Sequence, residues 1–330
     1  MRFFFSKLIH KYIGLCILAL TMLSGCGDDP HKITIYTSLP ERDFQELITA
    51  FQTQHPDVKI SFFRTGTTEL ITKLDAEYMA DNPKADILLV SDDIVMTSLK
   101  DQGKLEPLSI DTTHLPKDSF DPDKMFFGTI LAGTGLIYHK EYTPSSRSLH
   151  DLTSPEMFEK VVIPNPVYSG TSAVNLSIFA EHKDFGWNFW RAFLNNNPLL
   201  VKGNGAVLDT VAKKGRMCGI ILDFMALKAI EDGAALDFFY FEEGSPLIRA
   251  PIALLKTSSH KKNALLFIEF ILSKEGQQTL VNLGYRPIRT DVAPPKSFEK
   301  LGMPKEIPVD ANIILNRIEQ DRLEFSKAIH

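Results

Sequence analysis

Cysteine is nearly absent from this chain: three in 330 residues, at positions 16, 26 and 218. That excludes a disulfide framework as the source of stability, and no Cys-x-x-Cys spacing offers a zinc or redox site. No block of Lys and Arg occurs and the formal net charge is −5, which argues against nucleic acid as a partner. The nine histidines are dispersed. No His-x-x-x-His, nucleophile elbow or other grouping of nucleophile, base and orienting residue is found, so the sequence reads as a non-enzyme without metal or cofactor. Internal repeats and low-complexity tracts are missing too. Beyond residue 25 no apolar run reaches the roughly 20 residues needed to cross a bilayer. What is present, 44% hydrophobic and 23% charged residues, is the composition of a soluble globular protein with the length of two ordinary domains and a core of its own.

Arg2, Lys7 and Lys11 precede an apolar run of eleven residues, Tyr12 to Met22. A basic start and an apolar run too short for a membrane span read as an export signal. The Leu23-Ser24-Gly25-Cys26 that follows resembles the lipobox of bacterial lipoproteins. The resemblance implies that residues 1–25 are removed, that Cys26 carries lipid, and that residues 26–32 form a tether. The rest of the chain would then work in the periplasm or at the cell surface, held to a membrane by its anchor. Cys218 lies in the apolar stretch Met217-Cys218-Gly219-Ile220-Ile221-Leu222 and would have no intramolecular partner. It reads as a small buried hydrophobe.

From Ile33 onward, short β-branched runs alternate with helical patterns. Ile33–Tyr36, Val58–Phe63 and Asp86–Val90 read as strands. Phe44, Leu47, Ile48 and Phe51 fall on one face of a helix, and residues 68–80 form another. Strand-helix-strand-helix-strand in about 70 residues implies a parallel sheet covered on both faces. The glycine-punctuated Leu131–Leu136 is a place where the chain can pass between domains. Further strand-helix units follow at Val161–Ile163, Thr171 onward, Trp187–Phe193 and Met217–Leu222. Ile252–Leu255 reads as a strand returning to the first domain, and the helix near 310–328 is expected to wrap that domain.

In open parallel sheets, ligands gather where strands end and helices begin, because free N–H groups point there. Gly66-Thr67-Thr68 and Ser169-Gly170-Thr171-Ser172 are alike in this position. Each sets hydroxyls and amides at the positive end of a helix, suited to a carboxylate, phosphate or phosphonate, although Ser and Thr are also the preferred helix caps. Asp223 and Glu243 stand at strand ends of the second half. They read either as contacts to ligand hydroxyls or an amine, or as a helix cap and a solvated turn. Arg64, Lys202 and Arg249 are isolated cations, of a kind more often found as plain surface residues.

These residues match a known pattern. Ile33–Ser38, Arg64-Thr65-Gly66-Thr67-Thr68-Glu69-Leu70, Ala85-Asp86-Ile87, Tyr168-Ser169-Gly170-Thr171 and Asp223-Phe224-Met225-Ala226 occur in order. Tyr240-Phe241-Glu242-Glu243-Gly244, Phe267–Gln277 and Gly284-Tyr285-Arg286-Pro287-Ile288-Arg289 complete the series. Together they resemble the solute-binding proteins of ABC importers, in the group handling ferric iron, aminoethylphosphonate and sugar phosphates, over about residues 32–295.

The resemblance implies an α/β, type II periplasmic-binding-protein fold of two lobes, each a mainly parallel sheet with helices on both faces. Lobe 1 would comprise 33–131 and 251–330, and lobe 2 would comprise 132–250, joined by two crossover strands near 130–133 and 249–252. A monomer would trap a small anionic solute by hinge closure and present it to a permease and its ATPase subunits. Carried over to matching positions, Ser38, Thr67, Thr68, Ser169, Gly170, Thr171, Asp223 and Glu243 are the candidate ligand contacts. Ser169, Gly170 and Thr171 would hold the anionic group, while Asp223 and Glu243 would contact hydroxyls or an ammonium. The adjacent tyrosines usual in ferric-binding members are missing here. A ferric carrier would have to use His31, Tyr36 or Tyr168 with carboxylates. A sensor presenting the same closed lobes to a receptor is a further alternative.

Overall fold

Short β-branched runs become strands, and segments with apolar residues three and four apart become the helices that cover them. The computed structural model describes residues 31–91 and 93–329. The export signal and lipobox read at 1–26 lie outside the described residues.

The first lobe opens with β1 (Lys32–Thr37), α1 (Glu41–Gln54), β2 (Lys59–Arg64), α2 (Thr67–Met79), β3 (Ile87–Leu89), α3 (Asp93–Asp101) and β4 (Phe127–Gly128). β2, β1 and β3 run parallel. The buried face of α1 is Phe44, Leu47, Ile48 and Phe51, the stripe that its periodicity predicts. Phe51 and Phe44 meet Phe267 edge to face, at centroid distances of 5.2 and 6.0 Å. Each such side chain contributes about 1.5–3 kcal/mol on leaving water.

The second lobe contains β5 (Ala132–His139), β6 (Val161–Pro164), α4 (Gly170–Glu181), α5 (Gly186–Asn195), β7 (Leu199–Val201), α6 (Asn204–Ala212), β8 (Cys218–Leu222), α7 (Asp223–Glu231), β9 (Leu236–Phe239) and β10 (Leu247–Ile248). Its sheet runs β10-β5-β8-β6-β7, with β9 also on β5. β7, β6 and β8 are parallel and β5 is antiparallel to β8. Cys218 is buried and free. Its surroundings push the thiol up to about 12, so it stays protonated and inert at neutral pH.

The chain then re-enters the first sheet as β11 (Pro251–Leu254), which inserts antiparallel between β3 and β4. It continues as α8 (Lys261–Leu272), α9 (Lys274–Asn282), α10 (Lys296–Leu301) and α11 (Ala311–Ala328). The two crossovers lie side by side: Thr129 donates its N–H to Arg249 O at 2.8 Å and its hydroxyl to Ala250 O at 2.7 Å. Gly128 has no room for a side chain, because a Cβ there would stand 2.9 Å from the Arg249 Cβ.

The sharp corner between α8 and α9 explains Leu272-Ser273-Lys274-Glu275-Gly276-Gln277. Ser273 caps α9 by accepting the Gly276 N–H at 3.1 Å, and a Cβ on Gly276 would collide with Phe270 O. The wholly buried Gln277 donates to Thr129 O at 2.8 Å and accepts from Ile288 N at 2.8 Å. The corner is thereby tied to the first crossover.

The last helix departs from expectation. α11 does not wrap the first lobe; it seats mainly on the second. Trp187 Nε1 donates to Asp321 at 3.1 Å and Arg191 pairs with Glu324 at 2.6 Å, while Phe325 meets Trp190 edge-on. The physical reason is the apolar surface of α4 and α5, which shares one core cluster with Ile314, Ile318 and Phe325. Ile94 of α3 belongs to the same apolar cluster, so α11 also touches the first lobe. On the way to α11 the chain returns to the second lobe: Ser245 N donates to Lys305 O at 2.8 Å and Ile307 N to Ser245 O at 3.0 Å.

Candidate functional site

A cleft of about 320 Å³ lies between the lobes. Its walls are the turns that follow the parallel strands. Ser38 comes after β1, Arg64 ends β2 and Gly66 follows it, and Ser91 comes after β3. Tyr168 to Thr171 come after β6, and Lys202 to Ala206 after β7. Leu222, Phe224, Met225 and Ile130 line it from the crossover side.

The helix starts at this cleft share a peculiarity. Pro40 caps α1, Gly66 caps α2 and Gly203 caps α6, and at none of them does a side chain accept an amide hydrogen. Proline and glycine carry no side-chain acceptor, so the first N–H groups of these helices are left for another partner. At α4 the cap is Ser169, which accepts only the Ser172 N–H, at 3.3 Å. Thr67 and Thr171, 3% and 6% exposed, open α2 and α4 from opposite lobes. Neither hydroxyl makes a hydrogen bond among the described residues.

The charged groups lining the cleft are few. Arg64 donates through Nε to Leu39 O at 3.1 Å, leaving the rest of its guanidinium free to turn inward. Lys202 stands 3.7 Å from Glu69 across the cleft mouth. Glu69 is the one carboxylate among the described lining residues. A hydrogen bond from the Thr65 hydroxyl, with help from Lys202, holds it below the usual carboxylate range. The site thus combines two cations, several uncapped helix starts and hydroxyls, and it favours negative charge.

Of the residues singled out in the sequence, Ser38, Thr67, Ser169, Gly170 and Thr171 line this one cleft. Ser38 also meets the Ser91 hydroxyl at 2.8 Å. Three others lie elsewhere. Thr68 faces the far side of α2, where its hydroxyl accepts from Arg322 of α11 at 3.2 Å, in a separate groove. Asp223 is fully buried at the crossover. It accepts from Gly133 N at 2.8 Å, the Tyr240 hydroxyl at 2.7 Å and Phe224 N at 2.7 Å. Burial raises its carboxyl to about 6, and it also raises the Tyr240 phenol. Asp223 is spent on holding the start of α7 against β5, and only its neighbours Phe224 and Met225 reach the cleft. Glu243 accepts from the Ser148 hydroxyl and from Leu149 N at 2.9 Å, capping the 3-10 turn Leu149–Thr153. Both carboxylates therefore satisfy backbone amides.

Arg249, a further isolated cation of the sequence, is paired with Asp118 at 2.6 Å and Glu306 at 3.3 Å beside the crossovers. Of the residues weighed as ferric ligands, Tyr36 is buried and donates to Glu77 at 2.6 Å. His31 sits at the opposite end of β1 from the cleft. Tyr168 alone of the three lines the cleft. Sequence reasoning missed the start of α6. Its signal was present in Gly203-Asn204-Gly205, a glycine-flanked asparagine after a short apolar run.

Known proteins similar to this chain include the iron uptake protein A1 of Synechocystis, 24% identical over 316 residues that cover 87% of each chain. The phosphoglycerate transport regulatory protein PgtC of Salmonella typhimurium is 22% identical over 322 residues, which cover 93% of this chain and 79% of that one. The structure of the periplasmic binding protein AfuA from Actinobacillus pleuropneumoniae, with exogenous fructose-6-phosphate bound, superposes with a TM-score of 0.79 at 20% identity. It covers 90% of this chain and 98% of that one. At that identity the likeness shows the fold, the two-lobed α/β architecture of periplasmic binding proteins. Residues 33–286 match the family model for a bacterial extracellular solute-binding protein. With two sheets, paired crossovers and a cleft between the lobes, this chain belongs to the bacterial extracellular solute-binding proteins.

Proposed function

We propose that the protein is the substrate-binding component of an ABC importer and captures a small anionic solute, a phosphonate or a phosphorylated compound, between its lobes by hinge closure. The observation that carries this reading is the set of helix starts capped by Pro40, Gly66 and Gly203 at one cleft, joined by Ser169, Gly170 and Thr171. Charge-assisted hydrogen bonds contribute about 1.5–3 kcal/mol each. Four or five of them, less the cost of association, suffice for micromolar affinity, about −8 kcal/mol. Relatives named for phosphoglycerate transport and for bound fructose-6-phosphate support the same class. The protein would work in the periplasm or at the cell surface, lipid-anchored through Cys26, and deliver its solute to a permease and ATPase. Nothing in this reading calls for turnover.

A second reading, a ferric-iron carrier, is favoured by Tyr168 in the cleft and by the iron uptake relative. Thermal unfolding of the purified protein with inorganic phosphate, 3-phosphoglycerate, fructose 6-phosphate, 2-aminoethylphosphonate and ferric citrate separates the two. A ligand at a hundred times its Kd stabilises by about 2.7 kcal/mol, a shift on the order of 5 °C. We expect that shift with a phosphoryl or phosphonyl compound. Stabilisation by ferric citrate alone, with a visible tyrosinate band lost in Tyr168→Phe, would overturn the anion reading.

A further inference from the structure

Behind the first turn of α4 lies a second, smaller chamber of about 30 Å³, room for one water-sized group. Thr171 and Asn204 line both this chamber and the cleft. Its other walls are largely apolar, with Phe179, Trp190, Phe193 and Phe241 among them, and no charged residue lines it. Most of its polar side chains are already engaged. Ser172 donates to Pro164 O at 2.6 Å, Ser245 donates to Pro246 O at 3.0 Å, and Trp190 Nε1 donates to Leu176 O at 3.2 Å. On the cleft side, Thr171 and Asn204 make no side-chain hydrogen bond among the described residues, and deeper in, Asn175 engages only half of its amide. It is 8% exposed, and its Nδ2 donates to Thr134 Oγ1 at 3.0 Å. Its Oδ1 is buried with no hydrogen-bond partner among the described residues. A buried acceptor without a donor is rare and costly, and it calls for a donor from outside the fold.

We propose that this chamber is an uncharged subsite of the cleft, in which the free half of the Asn175 amide accepts a hydroxyl carried by the anionic solute. The proposal rests on the anion reading of the cleft and narrows its substrate class. Thr171 and Asn175 are about one helical turn apart on the same face of α4, about 6 Å along the axis. An anion held at the start of α4 would therefore reach the chamber with a hydroxyl carried a few atoms away. The neutral, apolar lining rejects a second anionic group and gives an ammonium no counter-charge, so a hydroxyl is the donor it suits. A site built around a hydroxyl discriminates strongly against the analogue that lacks it, because the acceptor is then left unpaired.

The test is calorimetric titration of the full chain, in detergent, with glycerol 3-phosphate, propyl phosphate and inorganic phosphate. Wild type is expected to bind glycerol 3-phosphate at least ~10-fold more tightly than propyl phosphate. In Asn175→Leu, or in Asn175→Ala if the first variant does not fold, that ratio should fall below about 3. A wild-type ratio near 1 with both esters binding overturns the subsite and leaves the anion reading standing; it is also the result a permanently resident water would give. A large ratio that survives the substitutions overturns it as well. Failure of all three phosphates to bind overturns the subsite as stated, and the anion reading falls with it only if the phosphorylated and phosphonate compounds of the thermal panel fail too.

Discussion

Gly66 and Tyr168 face each other across the cleft at backbone distance: a Cβ on Gly66 would lie 3.1 Å from Tyr168 O. One belongs to the first lobe and the other to the second, and both line the cleft. Together with Lys202 and Glu69, they mark where the rims of the two lobes meet. The φ of Gly66 is −66°, which any residue adopts, so glycine is needed here for closeness rather than for conformation.

Gly66→Val should hold the rims apart while leaving the first lobe able to fold. Solute affinity is expected to fall at least ~10-fold, with the unfolding temperature of the unliganded protein changed by less than about 3 °C. Titration calorimetry and scanning calorimetry read the two quantities. An unaltered affinity would mean that the lobes need not approach this closely to hold solute.

Thr171→Val removes a hydroxyl that bonds to no described residue and keeps the shape of the side chain. Losing one charge-assisted hydrogen bond should weaken anion binding roughly 10- to 150-fold. The unliganded melting temperature should move by no more than about 2 °C. Normal binding by this variant would reduce the start of α4 to an ordinary helix terminus.

Asp223 should leave a signature in stability against pH. Burial raises its carboxyl to about 6 in the folded protein, above the ordinary unfolded value of about 3.9. The folded state therefore holds the proton more tightly. This group's contribution is fully present below about pH 4 and is lost as pH rises through 6, by at most ~3 kcal/mol. Other carboxylates, Glu69 and Glu77 among them, are lowered and act in the opposite sense, so the comparison is between variants. Subtracting the urea-unfolding profile of Asp223→Asn from that of wild type between pH 4 and 7 should isolate the falling component. A flat difference would show that Asp223 is ionised throughout.

Phe325→Ala tests where the last helix belongs. Phe325 is fully buried and meets Trp190 at 6.2 Å, so truncation should cost about 3–5 kcal/mol in urea unfolding. The loss should appear together with exposure of the indoles of α5 to solvent, read by tryptophan fluorescence. A loss below about 1 kcal/mol would mean that α11 contributes little to holding the second lobe.

The parts of the fold that were legible in the sequence are those that local pattern determines. The spacing of Phe44, Leu47, Ile48 and Phe51 alone fixes which side of α1 is buried. Glycine and proline at helix starts place the turns of the cleft. Burial of α11 was equally legible from its apolar stripe, but its partner was not, because Ile314, Ile318 and Phe325 suit any apolar surface and only assembly brings the second lobe's helices against them. Asp223 and Glu243 misled for a related reason. A carboxylate at a strand end serves a ligand or a backbone amide with the same chemistry, and sequence spacing does not tell which lies nearer. The start of α6 escaped because the strand before it, Leu199–Val201, is only three residues long.

Three ribbons rather than two run between the halves, since residues 305–307 pair with Ser245 in addition to the strands around Thr129 and Arg249. The third lies beside the other two, where Glu306 meets Arg249 at 3.3 Å. On the proposed hinge closure this third tie would limit how the halves part, and a guest too bulky to let Gly66 approach Tyr168 would be refused by incomplete travel rather than by clash in the cleft floor.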